Sequence, residues 1–139
     1  MLKHIICLLA FLNFSMLSMA QSSSTEILKQ HEWKHRLLLV FADSDSSNKY
    51  NEQIKEFADH EGVLQDRDLK MFRLFAQGQS RFGDQPLSIA ATRALYRKYE
   101  TEEGNFAVIL IGKDGTEKLR TSEVLKLEKL FSVIDAMPM

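Results

Sequence analysis

Sulfur chemistry is nearly absent from this sequence. Its 139 residues include one cysteine, Cys7, and that residue falls in a stretch the mature chain is expected to lose. Met1–Ala20 has the anatomy of a secretory signal peptide. Lys3 supplies a short positive start, Ile5–Leu12 is an unbroken apolar run, and Ser18-Met19-Ala20 offers small residues where a signal peptidase cuts. Cys7 does not read as a lipid-attachment site, because Ile6 precedes it where a small residue is expected. Cleavage after Ala20 leaves Gln21–Met139 with no cysteine, which excludes disulfides, thiolate nucleophiles and cysteine metal sites in one step. Export, to the periplasm or outside the cell, leads to an oxidising compartment that this chain does not exploit.

A surplus of either charge is also missing. Lys and Arg number 18 against 19 Asp and Glu, and loss of Lys3 takes the formal net charge from −1 to −2. Nothing basic enough to grip nucleic acid remains. No second apolar run approaches the roughly 20 residues of a membrane span. Proline is scarce, with only Pro86 and Pro138.

What is present reads as one domain with alternating strands and helices, long enough to bury a real core. Gln21–Thr25 is polar, and Glu26–Arg36 reads as a helical turn or an extended arm. Leu37–Ala42 is an apolar run of the kind buried on both faces of a sheet. Asp43–Ser47 is a polar loop suited to capping a helix. Asn51–His60 carries a helical face of Tyr50, Ile54, Phe57 and Ala58, with Gly62 placed to end it. Asp68–Phe75 alternates as a second strand, and Gln77–Leu87 is rich in turn formers. Ser88 is placed to cap a helix reaching about Tyr99, anchored by Ile89, Leu95, Tyr96 and Tyr99. Phe106–Ile111 is the strongest strand, and Asp114-Gly115 marks a hairpin turn into an edge strand, Glu117–Arg120. Ser122 is expected to cap a final helix that turns Val124, Leu125, Leu127, Leu130, Phe131 and Ile134 inward. The order strand, helix, strand, helix, strand, strand, helix is that of an α/β, thioredoxin-like three-layer sandwich. It predicts a central mixed sheet of about four strands with helices on both faces.

Four stretches carry a family resemblance: Trp33 with Arg36 leading into "LLLVFA", then "DRDLKMFRLF", "FAVILIGKDGTEKLR" and "LFSVIDAMPM". Together they resemble the DUF4174 family, a thioredoxin-like group of bacterial exported proteins that also occurs as a module in vertebrate matrix proteins, one of them a sushi-repeat protein. The resemblance covers nearly all of Gln21–Met139. It implies a binding role, with another protein or an envelope or matrix component as partner; no cofactor is expected.

In a thioredoxin-type enzyme the loop after the first strand holds the redox cysteine pair. Here it reads Ala42-Asp43-Ser44-Asp45-Ser46-Ser47, and neither carboxylates nor hydroxyls cycle between thiol and disulfide. A proline expected just before the hairpin is replaced by Gly104-Asn105. Peroxidase chemistry of the peroxiredoxin kind fails for want of the same sulfur. Asp43, Asp45 and Ser47 have the alternate spacing that opens a calcium loop, but Asn48 stands where glycine is needed and Ile54 where glutamate is needed.

One string has real catalytic content. His31-Glu32-Trp33-Lys34-His35 spells HExxH, which on a helix sets two histidines one turn apart for zinc, with the glutamate to activate water. A small zinc hydrolase is therefore an alternative, as is a cysteine-independent oxidoreductase-like protein. Against zinc, the first strand starts directly after His35, and His60 is the only further histidine of the mature chain. Trp33 is expected as a core anchor or a lid over the sheet edge. Arg36, Arg73, Arg93 and Arg97 are candidates to bind an acidic group, or to pair with Asp66, Asp68 or Glu100. The candidate binding set is Trp33, Arg36, Arg73, Asp43, Asp45, Lys113, Asp114, Met137 and Met139. Met137-Pro138-Met139 is expected to tuck against the domain, with a partner-binding tail as the alternative.

Overall fold

The computed structural model describes residues 24–138. Residues 1–20, expected from the sequence to be a signal peptide, together with Cys7 within them, and Met139 lie outside the described residues.

The chain runs α1 (Ser24–Lys29), β1 (Arg36–Ala42), α2 (Asn48–Phe57), α3 (Glu61–Asp66), β2 (Leu69–Phe75), β3 (Arg81–Phe82), β4 (Gln85–Pro86), α4 (Ile89–Lys98), β5 (Ala107–Ile111), β6 (Glu117–Thr121) and α5 (Leu127–Asp135). One sheet has the order β4-β3-β2-β1-β5-β6. β1 lies parallel to β2 and antiparallel to β5, which pairs antiparallel with β6. The sheet has six strands rather than about four, because the turn-rich Gln77–Leu87 stretch folds into the two-residue strands β3 and β4. Pro86 ends the sheet on an edge strand, where its missing N–H costs no ladder bond.

The period-2 geometry of strands divides the core. Leu38, Val40, Ala42, Val108 and Leu110 meet Tyr50, Phe57, Leu64, Leu130 and Ile134 from α2, α3 and α5. Leu37, Leu39, Phe41, Ile109 and Phe72 face Leu95, Tyr96, Tyr99 and Leu28 on the other side. Helices therefore cover both faces.

Some local elements depart from those expected and others match them. α2 starts earlier than the apolar pattern implies, and Gly62 sits inside the short α3 instead of ending α2. Ser88 caps α4, its hydroxyl accepting from the Ala91 N–H. Ile89 is not an anchor; it is 70% exposed. Ser122 caps nothing, since α5 begins at Leu127 behind Lys126. The loop after β1 also differs: the Ser47 hydroxyl accepts from the Ser44 N–H rather than from the start of α2.

Candidate functional site

Parallel β1 and β2 begin at the same end of the sheet, with Arg36 opposite Leu69. Antiparallel β5 ends there too, with Ile111 opposite Leu37. The segments entering β1 and β2 and leaving β5 therefore meet at one pole, and the end of α5 joins them. Between them lies a groove of about 500 Å³. Trp33, Arg36, Asp68, Lys113, Asp114 and Met137 line it, with Asp66, Lys118 and Pro138 beside them.

Backbone bonds fix its walls. The Trp33 N–H donates to the Lys113 carbonyl at 2.7 Å, and the Arg36 N–H to the Asp68 carbonyl at 2.9 Å. Trp33 and Asp68 both adopt positive φ, 65° and 52°, a region that costs an L-residue with a Cβ. This conformation turns Trp33 outward. Of the two expectations for Trp33, core anchor or lid over the sheet edge, the first fails, because the residue is 74% exposed at the rim.

Arg36 is the buried cation of the site, 8% exposed. Its Nη1 donates to the Arg67 carbonyl at 2.9 Å, and its Nε has no acceptor. Arg67 is held in turn by Asp135 through a two-point fork, Nε to Oδ1 and Nη2 to Oδ2 at 3.0 Å each. Its guanidinium lies 3.8 Å from the centre of the Phe131 ring. The Asp135 of "IDAMPM" thus ties the C-terminal segment to "DRDLK". Met137 follows, half-buried against the core.

The other two cations are paired. Lys113 meets Asp68 at 2.7 Å and Lys118 meets Asp114 at 2.9 Å. The hydrogen bond from Lys113 holds the Asp68 carboxyl below its ordinary pKa. The Asp114 carboxyl is pulled down to about 2 by Lys118 and by the N–H and O–H of Thr116. A β-bulge aims Lys118 here: Leu110 faces Leu119 while Ile111 faces Glu117, leaving Lys118 as the extra residue. Its stem passes over Gly112, where a Cβ would stand 2.6 Å from the lysine Cε.

The remaining sequence candidates lie elsewhere. Asp43 and Asp45 are at the opposite end of β1, a seven-residue strand and so about 20 Å long. Arg73 lies beside Tyr50; burial raises the pKa of that phenol and Arg73 opposes the rise. The HExxH residues are in a turn, not on a helix. His31 and His35 share a hydrogen bond between their Nδ1 atoms at 3.0 Å. Glu32 lies against Gly115, its Oε1 2.9 Å from where a Cβ would be. Among the described residues no group of three His, Cys, Asp or Glu side chains is placed to hold a metal. A smaller cavity of about 260 Å³, lined by Ser80, Leu87, Ile89, Arg93 and Tyr96, lies beyond the far end of β2.

Sequence reasoning singled out Trp33, Arg36, Lys113, Asp114 and Met137, which the structure brings together. It missed Gly112 and Lys118 as groove residues, and considered Asp66 and Asp68 only as partners for arginines. The signal for the acids was their place just before β2, which the parallel pairing sets beside the entry to β1.

The sheet order, the two covered faces and the closing hairpin define a thioredoxin-like fold. Solved structures of similar fold include a reduced 2-Cys peroxiredoxin from Plasmodium vivax, with a TM-score of 0.61 at 14% identity over 78% of this chain and 80% of that one. Prx1a of Plasmodium yoelii, modified at its N-terminus and forming an artifactual octamer, gives 0.60 at 14% identity over 83% of each chain. Plasmodium yoelii thioredoxin peroxidase I gives 0.58 at 15% identity, over 83% of this chain and 82% of that one. At such identity the likeness concerns the fold alone. The chain belongs to the family described as a domain of unknown function, DUF4174, which matches residues 27–139. No curated protein matches it.

Proposed function

We propose that this chain is an exported thioredoxin-like module that acts by non-catalytic binding of another protein or of an envelope or matrix component, using the groove at the start of β1 as its contact surface. One observation carries this reading. The four stretches that bear the family resemblance, distant in sequence, each contribute residues to that groove or to the Arg67–Asp135 fork beside it. The loop at the position of thioredoxin's cysteines supports it in the negative, since Asp43–Ser47 offers no sulfur and its hydroxyls bond within the loop.

Purified mature domain tests this directly. It is expected to reduce no insulin, to contain no stoichiometric metal, and to retain a discrete partner from an envelope extract. Stoichiometric zinc that disappears in His31→Ala would put a hydrolase in its place, and insulin reduction would put an oxidoreductase there.

A further inference from the structure

We propose that the groove takes a segment of a protein partner that presents a single carboxylate beside an apolar side chain, with Arg36 receiving the carboxylate and Trp33 the apolar group. This deepens the binding reading above and rests on it.

The charge inventory of the groove points to the ligand. Of its three cations, Lys113 is held by Asp68 and Lys118 by Asp114. Arg36 alone makes no ion pair with a carboxylate among the described residues, although its charge acts on Asp68 and Asp135; it spends Nη1 on a carbonyl and leaves Nε unmatched. A buried donor without an acceptor is uncommon and costs free energy. A guanidinium is the side chain whose fork of donors matches a carboxylate.

The apolar half is independent of that charge. Trp33 is exposed, yet its backbone is pinned at positive φ by its bond to Lys113. Strain of this sort persists where the surroundings impose it, often at ligand sites. Met137 and Pro138 add an adaptable apolar wall. Tryptophan and arginine are among the residue types most enriched at binding hot spots. A site for a small metabolite buries most of its ligand, whereas a groove with a three-quarters exposed indole at its rim suits a length of chain. Asp66 also lines the groove, and its charge acts on Arg67, which Asp135 already holds. With Asp68 and Asp114 nearby, a run of acids is repelled, so one carboxylate among apolar neighbours is favoured.

Trp33 is the only tryptophan of the chain, so its fluorescence reports on the groove. The probes are a blocked peptide with one glutamate between leucines, its glutamine twin, a blocked run of glutamates, and 3-phenylpropionate. The single-glutamate peptide is expected to shift Trp33 emission saturably. The glutamine twin is expected to bind about tenfold more weakly or worse, for loss of the charge-assisted pair, and the glutamate run and 3-phenylpropionate also to bind more weakly. Arg36→Gln is expected to erase the preference for glutamate; if that variant does not fold, the comparison on the unaltered protein still decides. Equal binding of the twins would remove the carboxylate and keep the groove as a contact surface. Tighter binding of 3-phenylpropionate would remove the protein segment. Silence from every probe at millimolar concentration would overturn the inference, while partner capture from the envelope extract would leave the broader binding reading standing.

Discussion

The side-chain amide of Gln53 pairs with both backbone groups of Leu125: Nε2 donates to the Leu125 carbonyl at 2.9 Å, and Oε1 accepts from its N–H at 2.7 Å. Gln53 is fully buried on α2. Beside it, Glu56 accepts from the Leu127 N–H. Two polar side chains of one helix thus fasten the segment that leads into α5. Gln53→Leu keeps the volume but strands two backbone groups away from water, and is expected to cost about 2–4 kcal/mol. Urea unfolding at unchanged slope measures this. A loss under about 0.5 kcal/mol would show that the amide pairing contributes little.

Acid should loosen the β5–β6 turn. Asp114 is held at about 2, below the ordinary 3.8, first by its hydrogen bond from Lys118. A depressed carboxyl contributes its full stability above the unfolded value and loses it as pH falls through the folded one. The loss therefore runs from about pH 4 to about pH 2. Asp68 and Asp135, lowered by Lys113 and Arg67, shift in the same direction. Urea midpoints measured down this range should fall less steeply for Asp114→Asn than for the unaltered protein; parallel curves would contradict the assignment.

Trp33→Gly separates binding from folding. A buried tryptophan loses about 3–5 kcal/mol on truncation. Trp33 is mostly exposed and sits at positive φ, where glycine is at ease. The variant should stay within about 1 kcal/mol of the parent, since relief of strain offsets the added chain entropy. It should nonetheless lose partner capture. Thermal unfolding and capture assays on the same preparation read both, and a large loss of stability would return Trp33 to a structural role.

The parts legible in the sequence were those decided locally or by continuous burial. Leu37–Ala42 and Ala107–Ile111 are apolar throughout because both faces of those strands are covered. Ser88 and the Asp114-Gly115 turn act within a few residues of themselves. What escaped depends on tertiary partners. β3 is two residues long and is seated by Phe82 stacking on Phe72 at 4.2 Å, a contact no local pattern announces. The delayed start of α5 follows from Gln53 holding Leu125. The core-anchor reading of Trp33 fails because aromatic character favours burial, while the sign of a φ angle is not written in composition.

The groove was legible residue by residue and hidden as a place. Trp33, Arg36, Lys113, Asp114 and Met137 each drew attention, but so did Asp43, Asp45 and Arg73, which lie elsewhere. Only the pairing of β1 with β2 and β5 shows which of them share a pole. Arg36 was one of several arginines in the sequence; burial with an unmatched Nε distinguishes it in the structure.

Site-specific photo-crosslinking in cells that produce the full chain is the decisive measurement. One photoreactive residue would replace Lys118, at the groove, and in a separate variant Asp45, at the opposite pole. Binding through the groove predicts a discrete adduct of higher mass from position 118 and none from position 45. An adduct from position 45 alone, or from neither, would contradict it.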